Sequence, residues 1–156
     1  MQLTQFSDIG LRLLMYLANE RREGPAITLA EVSIQFNIPR NHLVKVAGKL
    51  VKNGWIEATR GRSGGIRLGM KPSAINLGQV LRVLEGHLEV INCDKLQCRL
   101  KNGCELKAIL ESAYAAFFSA LDKQTLEDVT SGQATKEIVI MHQSFMNTIS
   151  QGSVVH

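Results

Sequence analysis

The sequence predicts a mainly α-helical fold carrying one small β-hairpin, and three observations predict it. Apolar residues recur at helical spacing through most of the chain, several of these runs begin at a recognisable cap, and two short strand-like runs flank a glycine-rich basic loop, Arg60-Gly61-Arg62-Ser63-Gly64-Gly65. A chain of 156 residues can build one domain with a real core, or a small domain with an appended oligomerisation element.

Phe6, Ile9, Leu13 and Leu17 mark a helix over residues 5 to 20, and Leu11, Leu14 and Ala18 widen its stripe until it needs cover on more than one side. Thr28-Leu29-Ala30-Glu31 reads as a capping box, with Ile27 and Val32 as its hydrophobic staple, so a short helix should run from Leu29 to Phe36. Asn37-Ile38 makes a turn. Pro39 suits the first position of the next helix, where its missing N–H would be unpaired anyway. That helix, PRNHLVKVAGKLVKNG, turns Leu43, Val46, Ala47 and Leu50 inward and Asn41, Lys45, Lys49 and Lys52 outward, and Gly54 ends it. WIEAT and GIRLG are the two strands around the basic loop. Helix, helix, turn, helix and basic hairpin is the order of a winged helix-turn-helix.

The second half opens on Asn76, a cap flanked by Ile75 and Val80, and its helix should reach about Glu85. A polar loop follows. From about Glu105, residues Leu106, Ile109, Leu110, Ala113, Phe117, Ala120 and Leu121 keep helical pitch over roughly four turns, a stripe with little left in its own chain to cover it. A homodimer that pairs this long C-terminal helix buries it most simply; folding back on the N-terminal half is the alternative. LEDV at 126 to 129 suggests one further turn, and the tail from Ser131 to His156 is weakly patterned, with mobile last residues expected.

Charge divides the chain. Residues 1 to 75 hold 11 Lys/Arg against 5 Asp/Glu, and residues 76 to 156 hold 7 against 9. A basic first half suits a phosphate-rich partner, and the lysine face suits the major groove of double-stranded DNA. Asn41 is able to pair bidentately with adenine, and Arg60 and Arg62 sit on a loop slim enough to enter a groove. The residues expected at DNA are Thr28, Arg40, Asn41, His42, Lys45, Lys49, Lys52, Arg60, Arg62, Ser63, Gly64 and Gly65. Two half-sites on a dimer imply a pseudo-palindromic operator. No P-loop, nucleophile elbow or HExxH is present, and the four His are scattered, so no enzyme is expected. The N-terminus lacks a basic n-region and a cleavage site, and no apolar run is long enough to span a membrane; a cytoplasmic protein is expected.

All three cysteines lie in NCDKLQCRLKNGC, residues 92 to 104, spaced C-x4-C-x5-C. This spacing lacks the short C-x2-C chelate usual for structural zinc and suits a bulkier iron-sulfur core, with Lys95, Arg99 and Lys101 favouring thiolates. Zinc and uncoordinated redox thiols remain open on spacing alone.

Three stretches in order, MQLTQFSDIGLRLLMYLA, NHLVKVAGKLVKNGWIEATRGRSGGIRLG and NCDKLQCRLKNGC, resemble the iron-sulfur winged-helix repressors over about residues 1 to 130. That family includes the NsrR-like nitric-oxide-sensing repressors and the IscR-like cluster-assembly regulators. The resemblance implies a homodimer that binds operator DNA through helix and wing, and a cluster in each protomer that controls affinity. It favours the nitric oxide branch. There an Asp near the start of the first helix, supplied by the other subunit, is the fourth ligand; Asp8 occupies that position, whereas Lys107 stands where the IscR-like proteins carry a ligating His. The implied ligands are Cys93, Cys98, Cys104 and Asp8 of the partner subunit, around a 4Fe-4S cluster in preference to 2Fe-2S. The implied division is a DNA-binding domain at 1–75, the cluster loop with dimerisation helices at 76–131, and a C-terminal tail at 132–156. The alternatives are a regulator of the same family answering to iron-sulfur status or oxidative stress, and a zinc-stabilised interaction module.

Overall fold

The computed structural model describes residues 2–19, 25–61, 63–86, 90–93, 95, 97–100 and 103–151. Helices α1 (Gln5–Ala18), α2 (Leu29–Phe36) and α3 (Arg40–Lys52) precede an antiparallel hairpin of β1 (Ile56–Thr59) and β2 (Gly65–Leu68). Helices α4 (Leu77–Glu85), α5 (Glu105–Leu121) and α6 (Gln133–Ser150) follow, with short 3-10 turns at Pro72–Ala74 and Glu127–Val129. The fold is the expected winged helix-turn-helix with long helices behind it.

Local chemistry sets most boundaries. Thr4, Thr28 and Asn76 each accept the backbone N–H of the third residue on, satisfying one of the unpaired amides at a helix start. Asn37 closes α2 in the left-handed region at φ 51°, which brings α3 round onto α2. Gly54, at φ 75°, makes the equivalent turn into β1. Both expected staples are made, with Ile27, Val32, Ile75 and Val80 all buried.

Helix α1 is the axis of the core. It buries Ile9, Leu13, Leu14, Tyr16 and Leu17, and packs on α3, α4 and β2. The inner face of α3 supplies Leu43, Val46, Ala47 and Leu50. The wing is rooted by Trp55, Ile56 and Ile66, and its second strand takes a third partner where the Ile66 N–H donates to the Ile27 carbonyl at 2.7 Å. Across the hairpin Glu57 faces Arg67, joined at 2.7 Å on the solvent side.

Behind this unit α4 and α5 run antiparallel. Arg82 donates to both carboxylate oxygens of Asp122 and lies 4.5 Å over the Phe118 ring. The chain leaving α5 is stitched to the entry of α4 by Leu77 N–H to the Gln124 carbonyl at 3.0 Å and Leu126 N–H to the Ile75 carbonyl at 2.8 Å. Only the second half of α5 is covered in this way. Leu106 and Ile109, on its first half, are 60% and 64% exposed.

Two readings need correction. The Thr28 half of the capping box forms, but the Glu31 carboxylate turns inward, almost fully buried, and accepts the Tyr16 hydroxyl at 2.7 Å. The weakly patterned tail contains the 18-residue helix α6, which lies against α2 and buries Ile138 and His142. The His142 ring stacks on Tyr16 at 4.0 Å between centroids, its Nε2 lies 3.1 Å from the Tyr16 carbonyl, and its Nδ1 faces Glu31 at 3.7 Å. A histidine opposite a buried carboxylate and a tyrosine is a polar seam that needs every member in place. The expected mobile end, residues 152–156, lies outside the described residues.

Tyr16→Phe keeps the ring and leaves the buried Glu31 carboxylate without that donor. It should cost about 1 to 3 kcal/mol, read as a lower urea midpoint at unchanged slope.

Candidate functional site

Two regions carry functional chemistry: the outer surface of α3 with the wing, and the cysteine loop between α4 and α5. On α3, Arg40, Asn41, His42, Lys45, Lys49 and Lys52 are all exposed while the opposite face is fixed in the core. The lysine stripe read from the sequence is thus a real surface, with no acidic side chain on the helix to neutralise it. A cleft of about 240 Å³ opens between α1 and α3, lined by Gln5, Phe6, Ile9, Val46, His42 and Lys45. Thr28 sits exposed at the N-terminus of α2, its oxygen occupied by the Glu31 N–H.

At the wing tip Arg60 and Ser63 are exposed, and Arg62 lies outside the described residues. Gly64 and Gly65, expected at DNA, have a structural reason to be glycine. A Cβ on Gly64 would meet the Thr59 carbonyl oxygen, and one on Gly65 would lie 2.5 Å from the Ile27 carbonyl oxygen and 2.6 Å from the Ala26 Cβ. Their small size sets the shape of the wing and its seat on the 26–27 segment, whatever they contact outside.

In the loop, Cys93 is buried, Cys98 and Cys104 are partly exposed, and none of the three is in a disulfide. The Cys98 N–H donates to the Cys93 carbonyl at 3.0 Å, Gln97 takes φ 48°, and the Asn92 side chain accepts the Lys95 N–H at 2.7 Å, so the loop is folded locally back on itself. Cys104 forms the N-cap position of α5 and makes no side-chain hydrogen bond to the helix start. An open recess of about 400 Å³ lies beside it, lined by Gly103, Cys104, Glu105, Lys107, Ala108 and Glu111. Lys107 is engaged with Glu111 at 3.6 Å. Among the described residues no three His, Cys, Asp or Glu side chains gather closely enough to hold one metal ion. Three cysteines outside any disulfide, with Lys95 and Arg99 on the same loop, are a donor set of the kind that iron-sulfur clusters take.

Asp8 lies in the first turn of α1, half exposed, with Arg12 donating to it at 2.9 Å. The structure brings it to the outer surface of the first turn and does not gather it with the cysteines of the same chain.

Sequence reasoning missed the links that hold these regions in register. Glu85, last residue of α4, accepts from the backbone N–H of Thr4 at 2.8 Å and from its hydroxyl at 3.0 Å. The end of α4, where the cysteine loop begins, is thereby tied to the start of α1, where Asp8 sits. Partial burial works to raise the Glu85 carboxyl, but hydrogen bonds from Ser7 and Thr4 outweigh it and hold it below its ordinary value. The Asp122 carboxyl is likewise held low, first by the hydrogen bond from Arg82. Sequence separations of 81 and 40 residues leave no local pattern from which either link could be read.

Residues 3–132 match the Rrf2 family, described as iron-dependent transcriptional regulators. The chain belongs to the Rrf2 family. Among solved structures this Rrf2 regulator is similar to CymR (YrzC), the global cysteine regulator of B. subtilis, at 28% identity and TM-score 0.67, covering 83% of this chain and 95% of that one. It is also similar in fold to T. potens IscR at 24% identity and TM-score 0.66, covering 83% and 85%. Staphylococcus aureus CymR in its oxidised form aligns at 24% identity and TM-score 0.64, over 85% and 98%. An Rrf2 protein is a DNA-binding transcriptional regulator and not an enzyme, in keeping with the exposed α3 and wing. Among the described residues no helix is long and apolar enough to cross a membrane.

A carboxyl held low in the folded state contributes stability that is complete above its unfolded value, about 4.5 for Glu85, and is lost as pH falls through the folded value. Glu85→Gln should therefore lower Tm at pH 7 and flatten the fall in Tm below pH 4.5, as followed by circular dichroism.

Proposed function

We propose that this Rrf2 regulator is an NsrR-like repressor that senses nitric oxide through an iron-sulfur cluster, the intact cluster favouring operator binding. The observation that supports this reading is a loop holding three cysteines outside any disulfide, together with an acidic side chain, Asp8, half exposed on the first turn of α1. In this reading Cys93, Cys98 and Cys104 hold the cluster, 4Fe-4S in preference to 2Fe-2S, and Asp8 of the partner subunit completes it. A bound cluster would supply an iron whose oxygen ligand is harder and more readily displaced than a thiolate.

The chain's own residues then do the switching. Asp8 has two claims on it, the partner's cluster and its own Arg12. If Asp8 were to hold the partner's cluster, Arg12, one turn on and 2.9 Å from it here, would compete for the same carboxylate. Because the Glu85–Thr4 link joins the loop end of α4 to the start of α1, a change at the cysteines reaches the helix that supports α3. The uncovered Leu106 and Ile109 on α5 support a homodimer built on that helix. Residues 1–75 serve as the DNA-binding domain and 76–131 as the sensing and dimerisation segment, while the 132–156 segment contributes α6 as a cover for α2.

At DNA, Lys45, Lys49, Lys52 and Arg40 hold phosphates, Thr28 adds a contact at the start of α2, Asn41 and His42 meet base edges, and Arg60, Arg62 and Ser63 carry the wing to the neighbouring groove. The regulator answering instead to iron-sulfur status or peroxide uses the same parts, and titrating anaerobically prepared protein with each signal while following release of operator DNA separates the two.

Asp8→Ala should retain a cluster with a changed visible spectrum and altered nitric oxide reactivity. An unchanged spectrum and reactivity removes Asp8 from the ligand set. Lys45→Ala should weaken binding nearly equally across DNA sequences and lower the slope of log affinity against log salt by about 1; an unchanged slope removes Lys45 from the phosphate contacts.

A further inference from the structure

Two positions on the outer face of α3 have no explanation in folding. Val44 is 51% exposed in mid-helix, where a β-branched apolar side chain gains little burial and lowers helix propensity. One turn on, Gly48 has nothing within 4 Å of where its Cβ would lie. No described neighbour requires its small size, and glycine there weakens the helix relative to alanine. Asn41, Val44, Gly48 and Val51 follow one another at helical spacings of three and four, so they form one stripe. Lysines 45, 49 and 52 border that stripe on one side and Arg40 stands on the other.

A stripe that is apolar and small, set between cations, suits a surface that is charged at its edges and carries apolar groups on its floor. The major groove is such a surface, with phosphates along its walls and the thymine 5-methyl as the apolar group its base pairs display. We propose that Val44 and Gly48 form a thymine-reading notch, the glycine letting the backbone of α3 approach the groove floor and the valine packing on thymine 5-methyl groups. This rests on α3 being the helix that enters the major groove. The flanking cations hold the helix by charge without choosing a sequence, so the choice falls to the residues between them.

The test uses the full-length protein, prepared anaerobically, and a duplex it selects from a random DNA pool. That duplex is remade with deoxyuridine in place of thymidine, one position at a time, which removes only the methyl. At one or two positions per half-site affinity should fall about fourfold, the effect of withdrawing one buried methyl at about 0.8 kcal/mol. Val44→Ala should bind the thymine and uracil forms equally. Gly48→Ala should hold or raise Tm while weakening binding about tenfold, because the added methyl overfills the interface. Wild-type binding that ignores every uracil, with Lys45→Ala and Lys49→Ala still weakened, overturns the notch and leaves α3 as the DNA-reading helix. Lysine variants that bind as tightly as wild type overturn the placement of α3 and the notch with it.

Discussion

Everything in this structure hangs on how closely α1 is approached at Gly10. A Cβ there would lie 2.5 Å from Leu84 Cδ1 of α4 and 3.4 Å from Val46 Cγ1 of α3. Leu84 and Val46 are both buried, so neither has free space to withdraw into. One missing methyl group thus lets a single helix serve as the common wall for the basic helix α3 on one flank and for α4, which leads to the cysteines, on the other. The two functional regions share a packing surface instead of a flexible linker. A shift of α4 is felt at α3 through one layer of side chains.

Around that hard centre the polar links are soft. Asp8–Arg12, Glu85–Thr4 and Arg82–Asp122 all lie at or near the surface, where ion pairs and hydrogen bonds contribute little individually and are screened by salt. Such contacts are poor anchors and good switches. They can be exchanged for others at small cost, whereas core packing between α1, α3 and α4 cannot. The packing of α1, α3 and α4 is thus the fixed part of the molecule, and the surface links are the adjustable part.

What is legible in the sequence is whatever is local. Thr28, Asn37, Gly54 and Asn76 act on backbone groups within a few residues, and the inward and outward faces of α3 repeat at helical pitch, so short stretches of sequence suffice to place these elements. The exposed basic face of α3 is legible for the same reason, since exposure of Arg40, Lys45 and Lys49 follows from the burial of Leu43, Val46 and Leu50. Glu31 misleads because its position three residues after Thr28 fits a cap, and only the distant Tyr16 hydroxyl shows where the carboxylate goes. Helix α6 is hidden because its stripe is thin. Ile138 and His142 are its buried residues, one of them polar, and the exposed Ile140 and Ile149 blur the period. Asp8 shows only a first-turn acid in its own sequence; its proposed role depends on a second chain and comes from family resemblance.

The seam of Tyr16, Glu31 and His142 has a consequence for the order of synthesis. The carboxylate that α2 buries is made early, and the imidazole that covers it is made 111 residues later. Until α6 is in place, the Tyr16–Glu31 pair between α1 and α2 lacks its imidazole cover. Its closure waits on α6, so until His142 has been synthesised the buried Glu31 lacks its imidazole neighbour. Helix α6 thereby joins residues made far apart in time into one seam, and a chain interrupted before His142 is left with that seam open.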